Sequence, residues 1–195
     1  MKTTLGTILW LLLCATGTLA QSPVPAASGR TLNVSLGYSY FSLGPPPADR
    51  FGLNGADASF TLKILRRFGV KMDVGYGHTT NVLARGSSSE VLTYVGGPIF
   101  YPAIRRHYGV YVEGLVGGAL VRSTLVPVGG PTQTAWGNHV SWAFGSGLEL
   151  PLSSAFAMRF GGDYFHTSFF NTSLANHAQN DFRATASIVY RFGMR

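Results

Sequence analysis

Apolar and polar residues alternate at every second position in several stretches of this chain. One stretch runs over residues 31–40 (TLNVSLGYSY) and another over residues 182–192 (FRATASIVYRF). Because successive side chains of a β-strand point to opposite faces, each stretch predicts a strand with one apolar and one polar face. Eight candidate strands follow one another, at residues 30–41, 53–65, 68–78, 90–101, 108–121, 139–150, 155–167 and 181–193.

The gaps between these strands alternate in length. Three are short, at residues 66–67, 102–107 and 151–154, and the other four are longer and rich in Gly, Pro, Ser and Asn. The longer gaps lie at residues 42–52, 79–89, 122–138 and 168–180. Short turns at one end and long loops at the other are typical of outer-membrane barrels. The pattern therefore predicts an all-β fold, an eight-stranded antiparallel up-and-down transmembrane β-barrel whose tilted strands cross the hydrocarbon.

The composition is consistent with a surface that faces lipid. Only 12% of the 195 residues are charged, whereas soluble domains average roughly 25%. The net charge is +7, and a basic chain can bind nucleic acid or an anionic surface. The arginine pairs at 66–67 and 105–106 lie in separate short gaps rather than in one long patch. We therefore expect no nucleic-acid partner.

The N-terminus has the three parts of an export signal. Lys2 supplies a positive charge, residues 5–14 form an apolar core, and Thr18-Leu19-Ala20 offers a cleavage site. The apolar run is too short for a membrane-spanning helix, which takes about 20 residues. We predict a signal peptide at 1–20, a flexible leader at 21–29 and a barrel domain at 30–195 in the cell outer membrane. The single cysteine, Cys14, lies within the signal, so we expect no disulfide and no cofactor in the exported domain.

The polar faces of the strands carry equal numbers of acids and bases. An eight-stranded barrel is just wide enough for side chains to fill, and charges buried there must be paired. We predict that these residues plug the lumen as structural ion pairs, with Gly and Ser on the same faces making room for them. The acids are Asp57, Asp73, Glu113, Glu149 and Asp163, and the bases are Lys63, Lys71, Arg159, Arg183 and Arg191.

The opposite orientation gives a soluble, lipocalin-like periplasmic binding barrel with its apolar face inside. Alternation alone does not distinguish the two orientations. The apolar faces carry many large rings, among them Trp142, Phe144 and Phe160. These are too bulky for a narrow interior and suit the lipid-facing side and the aromatic girdles of a membrane barrel.

Several short segments resemble the small OmpA-like outer-membrane β-barrel proteins. They lie at residues 95–98 (VGGP), 112–119, 144–150 (FGSGLEL), 163–167 (DYFHT) and 188–193 (IVYRFG). The resemblance implies outer-membrane lipid and the barrel-assembly machinery as partners. In that family the machinery reads a terminal strand that ends in an aromatic residue, whereas here Phe192 is followed by three more residues. We predict a structural or adhesive surface role, with a narrow porin-like pore as a variant and an extracellular ligand that the sequence does not name.

An enzymatic alternative comes from the lipid A deacylases, which are also outer-membrane barrels. They use a His-x-Ser pair on one strand with a later acid, a nucleophile-and-base arrangement. The chain offers His166, Ser168 and Asp181. However, Phe169-Phe170 replaces the family's Asn-Ala after the serine, and its acid is Glu rather than Asp. We therefore predict that the chain is not an enzyme. We also expect no metal site, because the other histidines stand alone at His78, His107, His139 and His177.

Overall fold

The computed structural model describes residues 31–44, 51–82, 87–125, 133–167 and 179–193, which form one closed barrel. Every strand pairs antiparallel with its neighbours in the sequence, and β1 closes the barrel by pairing with β8. All eight predicted strands are present, so the predicted fold class is confirmed. Among the described residues, no helix is long and apolar enough to cross a membrane. The strands are β1 (Thr31–Leu43), β2 (Phe51–Lys63), β3 (Phe68–Val82), β4 (Ser87–Ile104), β5 (Gly109–Leu125), β6 (Gln133–Pro151), β7 (Phe156–Thr167) and β8 (Gln179–Gly193).

The barrel has two different ends. At the end that we call the turn end, residues 64–67, 105–108 and 152–155 join consecutive strands. Backbone hydrogen bonds close these turns, such as Leu65 N to Phe68 O at 3.0 Å and Arg105 N to Tyr108 O at 2.8 Å. The opposite end, the loop end, carries the four remaining connections. In the outer-membrane plan the short turns face the periplasm and the loops face outward.

Four strands reach further toward the loop end than the alternation predicts. β3 continues to Val82, β4 begins at Ser87, β5 continues to Leu125 and β6 begins at Gln133. The predicted loops at 79–89 and 122–138 were therefore wrong in extent, since only residues 83–86 and 126–132 join these strands.

The outer surface carries the apolar band that a bilayer requires. Its middle exposes large aliphatic and aromatic groups, with Leu36 68% and Met72 66% accessible. Aromatic side chains border this band at both ends, as in the interface girdles of membrane barrels. Toward the turn end these are Phe68, Tyr108, Phe156, Tyr190 and Phe192, and toward the loop end Tyr38, Tyr40, Tyr76, Tyr94, Trp142, Tyr164 and Phe182.

Beyond the loop-end girdle the barrel reverses its polarity. The outward positions there are polar and at least partly exposed, and they define what we call the crown: Asn54, His78, Glu90, Arg122 and Asn138. Most of the inward positions at the same height are apolar. They form what we call the apolar plug: Phe41, Leu43, Leu53 and Val91, with Phe51 and Val121 packed against them. Among the described charges of the lumen, Asp181 on β8 is buried at this end, beside Gly44, whereas the ten predicted ion-pair residues lie in the other part.

The strands β4 and β5 carry apolar residues on both faces, so the alternation of the sequence does not fix which of their faces is inward. On β4 the inward residues include Val91, Val95 and Ile99, each no more than 5% exposed. On β5 they include Leu115 and Ala119. These strands look apolar on both faces because one face meets lipid and the other packs in the lumen.

Candidate functional site

The lumen is the densest cluster of chemistry in the described part of the chain. All ten residues predicted as lumen ion pairs lie on inward positions, and eight of them are nearly inaccessible. Only Lys63 and Arg191, at the turn end, remain partly open, with side chains 20% and 16% exposed. The charges separate into two layers along the barrel axis.

The first layer, at the turn end, gathers three bases around one acid, Glu149. Arg159 Nη2 lies 2.7 Å from Glu149 Oε2, and Arg191 Nη2 lies 2.7 Å from Oε1. Lys63 Nζ approaches Oε1 to 3.7 Å. The hydroxyl of Tyr101 accepts a hydrogen bond from Arg159 Nη2 at 3.2 Å. This turn-end layer has an excess of positive charge, and it faces the periplasmic side.

The second layer, deeper in the barrel, centres on Arg183, which is 0% exposed. Its Nη1 and Nε donate to Asp73 Oδ1 at 2.5 Å and to Asp163 Oδ2 at 2.8 Å. Lys71 Nζ extends the network to Asp73 at 3.1 Å and to Glu113 at 2.8 Å. These strands are far apart in sequence, so the middle layer ties together β3, β5, β7 and β8. Charges held this way are satisfied by partners rather than by water.

Asp57 is the exception among the ten. It is 4% exposed, no base among the described residues forms an ion pair with it, and its Oδ1 has no hydrogen-bond partner. Its neighbours across β1 and β3 are glycines, Gly37 and Gly75. With Asp57 the middle layer holds four acids and two bases, an excess opposite in sign to that of the turn-end layer. The two layers together are balanced, as the sequence predicts, but neither is balanced alone.

Glycine on the inward face makes room for the large lumen side chains. A Cβ on Gly75 would lie 2.9 Å from Arg183 Nη1 and 3.1 Å from Phe41 Cζ. A Cβ on Gly147 would lie 2.5 Å from the hydroxyl of Tyr111. Contacts this close are not tolerated in packed interiors. The glycines on the inward faces therefore leave the room that the side chains of Arg183 and Tyr111 occupy.

Sequence reasoning missed the aromatic side chains that border the charges. The guanidinium of Arg183 lies 4.8 Å from the ring centroid of Phe165 and 5.9 Å from that of Phe41. Arg159 lies 5.2 Å from the ring of Tyr111. Cation–π contact favours such pairs where water is excluded. The alternation could have identified Phe41 as an inward residue, because it lies an even number of positions from Asn33, Ser35 and Ser39, which also point inward.

The two described residues of the deacylase alternative, His166 and Asp181, do not come together. His166 lies on the outer surface and stacks on Trp142 with ring centroids 5.0 Å apart. Asp181 lies inside, where its Oδ2 accepts a hydrogen bond from Thr167 at 3.0 Å. Ser168 is outside the described residues. Because His166 and Asp181 lie on opposite faces of the sheet, they cannot act on one substrate as a base and its orienting acid. Among the described residues there is also no group of three side chains suited to a metal ion.

Comparison with known proteins gives matches only at the level of structure. No protein-family model matches the chain, and no curated protein matches it. The crystal structure of Ail, the attachment invasion locus protein of Yersinia pestis, superimposes with a TM-score of 0.63 over 84% of this chain and 99% of its own, at 16% identity. This is the fold of the small eight-stranded outer-membrane barrels.

Two further structures share the fold. Neisserial surface protein A aligns with a TM-score of 0.59 over 84% of this chain and 97% of its own, at 10% identity. The outer membrane protein OprG from Pseudomonas aeruginosa aligns with a TM-score of 0.55 over 86% and 98%, at 11% identity. Sequence identities this low support a shared fold and nothing beyond it. The OmpA-like resemblance and the outer-membrane location predicted from the sequence agree with these neighbours and with the apolar band on the barrel wall.

Proposed function

We propose that this protein is an outer-membrane surface protein that acts through its loop end, in an adhesive or structural role, and that its lumen is a plug. The observation that carries the proposal is the double closure of the lumen. Ion pairs fill the middle and the turn end, and the apolar plug of Phe41, Leu43, Leu53 and Val91 fills the loop end. With the lumen filled, the surface left for contact with the outside is the crown and its loops.

The crown suits this role because it raises the loops above the membrane. Its polar groups bond to one another and to the girdle below, as in Tyr94 Oη to Asn138 Oδ1 at 2.9 Å. Glu90 lies 3.6 Å from His78 Nδ1 and 3.9 Å from Arg122 Nη1. A rigid platform under loops favours binding, since the loops then lose less freedom on contact. Ail, which shares the fold, is named for attachment and has been crystallised with a heparin analogue.

Adhesion is tested by expressing the chain in a non-adherent Gram-negative strain. Bacterial attachment to cultured epithelial cells and to immobilised heparin is counted for the native chain and for four variants. Each variant replaces residues 45–50, 83–86, 126–132 or 168–178 by a short Gly-Ser turn. We expect attachment to fall in at least one loop variant and to persist in the lumen variant Asp57→Asn. Attachment no greater than that of the empty strain, at equal amounts of folded barrel, rejects the adhesive role.

We also propose that β8 is the strand recognised by the barrel-assembly machinery. Phe192 is 45% exposed on the outer wall, and its ring meets that of Tyr190 edge-on at 4.5 Å. An exposed aromatic near the end of the last strand is the feature that the OmpA-like resemblance implies.

A further inference from the structure

Two of the three turns at the turn end are strongly basic, and the third is neutral. The first turn holds Arg66 and Arg67 and the second holds Arg105 and Arg106, all four exposed. The third turn, 152–155 (LSSA), has no charge, and no acid lies in any of the three. None of the four arginines forms a salt bridge within the described residues, so their charge is uncompensated on one side of the periplasmic rim.

The two basic turns are held side by side. Tyr101 N, on β4, donates a hydrogen bond to the carbonyl of Arg67 at 2.8 Å. On the outer wall, Phe68 packs against Phe100 with ring centroids 4.6 Å apart. β3 and β4 are adjacent in the barrel, and β4 leads directly into the second basic turn. The two turns that carry the four arginines are therefore neighbours on the rim, and we call them the basic half-ring.

An apolar cleft of about 320 Å³ lies on the lipid-facing wall, and its lining includes Phe68, the residue that follows Arg67. Its position follows from two residues that interrupt the wall. Pro98 has no N–H for the ladder, and the register between β4 and β5 gives neither Gly97 nor Pro98 a partner. Gly114 has no side chain, and a Cβ there would meet nothing within 4 Å. The lining consists of Phe68, Pro98, Phe100, Val112 and Phe144, together with Gly114 and with Glu113, whose side chain is buried in the lumen against Lys71.

We propose that the basic half-ring and this cleft together bind one anionic phospholipid of the periplasmic leaflet. The guanidinium groups donate to the phosphate and to the acidic headgroup, while an acyl chain occupies the cleft. The exposed Leu65 and Ile104 beside the arginines place the turns at the membrane interface, where arginine extends its charge to the headgroups. The basic half-ring thus recognises the charge of the headgroup, and the cleft recognises the acyl chain. The inference rests on the placement in the outer membrane and is independent of the adhesive role.

The site is tested by native mass spectrometry of the folded barrel released from detergent micelles. Dioleoyl phosphatidylglycerol and dioleoyl phosphatidylcholine, which share their chains, are titrated separately. We expect one phosphatidylglycerol to be retained at least about tenfold more tightly than phosphatidylcholine, since each basic residue near a surface favours anionic lipid. The variant R66Q/R67Q/R105Q/R106Q should abolish this preference, whereas Arg122→Gln in the crown should not. Equal retention of the two lipids by the native chain, or an unchanged preference in the fourfold variant, overturns the proposal.

The cleft is tested by filling it. Gly114→Leu should weaken retention of phosphatidylglycerol severalfold, while Ala186→Leu, an exposed position on β8 outside the cleft lining, leaves it unchanged. Glycerol 3-phosphate, which carries the phosphate without chains, should fail to displace the bound lipid at equal concentration. If it displaces the lipid fully, or if Gly114→Leu has no effect, the acyl-chain half of the proposal is wrong. Heat-modifiable gel mobility verifies that each variant is folded.

Discussion

Arg183 on β8 and Phe41 on β1 occupy paired positions across the barrel seam, with the guanidinium 5.9 Å from the phenyl ring. This pair marks the boundary between the charged layers and the apolar plug. Below it, Arg183 bonds to Asp73 and Asp163. Above it, Phe41 packs with Leu53 and Val91. The lumen therefore has two barriers in series, one made of ion pairs and one that excludes water.

The two barriers predict how the barrel conducts ions in planar bilayers. Removing charge alone, as in Arg159→Ala or Asp163→Ala, leaves the apolar plug in place, so we expect little steady conductance. Opening the plug alone, as in F41A/L53A, leaves the ion pairs. We expect stable conductance only in the combined variant F41A/L53A/D163A. Steady current through Arg159→Ala would show that the apolar plug does not close the lumen, and the native chain recorded under the same voltage is the baseline.

The ion pairs of the middle layer predict the stability of a second variant set. Arg183→Met removes the shared partner of Asp73 and Asp163, which leaves the buried Asp163 without its ion pair and Asp73 with Lys71 alone. Breaking a buried pair in this way costs about 3–5 kcal/mol. We expect a lower urea midpoint for unfolding, followed by tryptophan fluorescence in micelles. The triple variant R183M/D73N/D163N should recover most of the loss, since the two carboxylates that Arg183 held are then neutral amides. If Arg183→Met alone unfolds at the native midpoint, the ion pairs contribute little to stability.

The glycines that face the lumen give a matched comparison with one that faces lipid. Gly75→Ala places a methyl group 2.9 Å from Arg183 Nη1, and that guanidinium is held by two carboxylates, so it cannot move aside. Overpacking of this kind costs about 1–3 kcal/mol. Gly114→Ala adds the same methyl group where nothing lies within 4 Å. We expect the unfolding midpoint to fall for Gly75→Ala and to stay unchanged for Gly114→Ala. Equal effects would mean that backbone freedom, rather than lumen crowding, sets the cost.

The alternation of the sequence predicts the strand count and the antiparallel order, and it places the ten charges on the polar faces of their strands. The bulk of the rings on the opposite faces then predicts that the charges point inward. The alternation does not predict the apolar plug. Val91 and Leu53 lie on the same inward faces as Thr93 and Asp57, so the change from polar to apolar occurs within one face. The ion-pair partners of the lumen charges could not be predicted either. Arg183 contacts Asp73 only because the barrel closes and brings together strands that are distant in sequence. The distances between side chains across the lumen depend on the stagger of the strands, and the alternation of the sequence does not determine that stagger.

The reversal of polarity predicts where the membrane ends on the outer wall. Single spin labels at Phe160 and Val34 should be accessible to oxygen, which concentrates in lipid, and protected from a water-soluble nickel complex. A label at Asn54, in the crown, should show the opposite preference. A label at Leu53, inside the plug, should be protected from both reagents. If Phe160 and Asn54 behave alike in lipid bilayers, the girdle does not mark the membrane boundary, and if Phe160 is shielded from both reagents, the apolar band does not face lipid.

The exposed aromatic residues of β8 predict how fast the barrel is assembled in cells. Phe192 and Phe182 are both about half exposed on the outer wall of this strand, at 45% and 46%. They stand at opposite ends, with Phe192 at the turn end beside Tyr190. If the assembly machinery reads the end of the last strand, Phe192→Ala slows the appearance of the heat-modifiable form after a pulse of expression. Phe182→Ala removes the same ring from the loop end and leaves the assembly rate unchanged.

In purified micelles both variants lose a similar exposed contact and should refold at similar rates, so a difference confined to cells assigns the effect to the machinery. Equal assembly rates in cells would remove Phe192 from the signal.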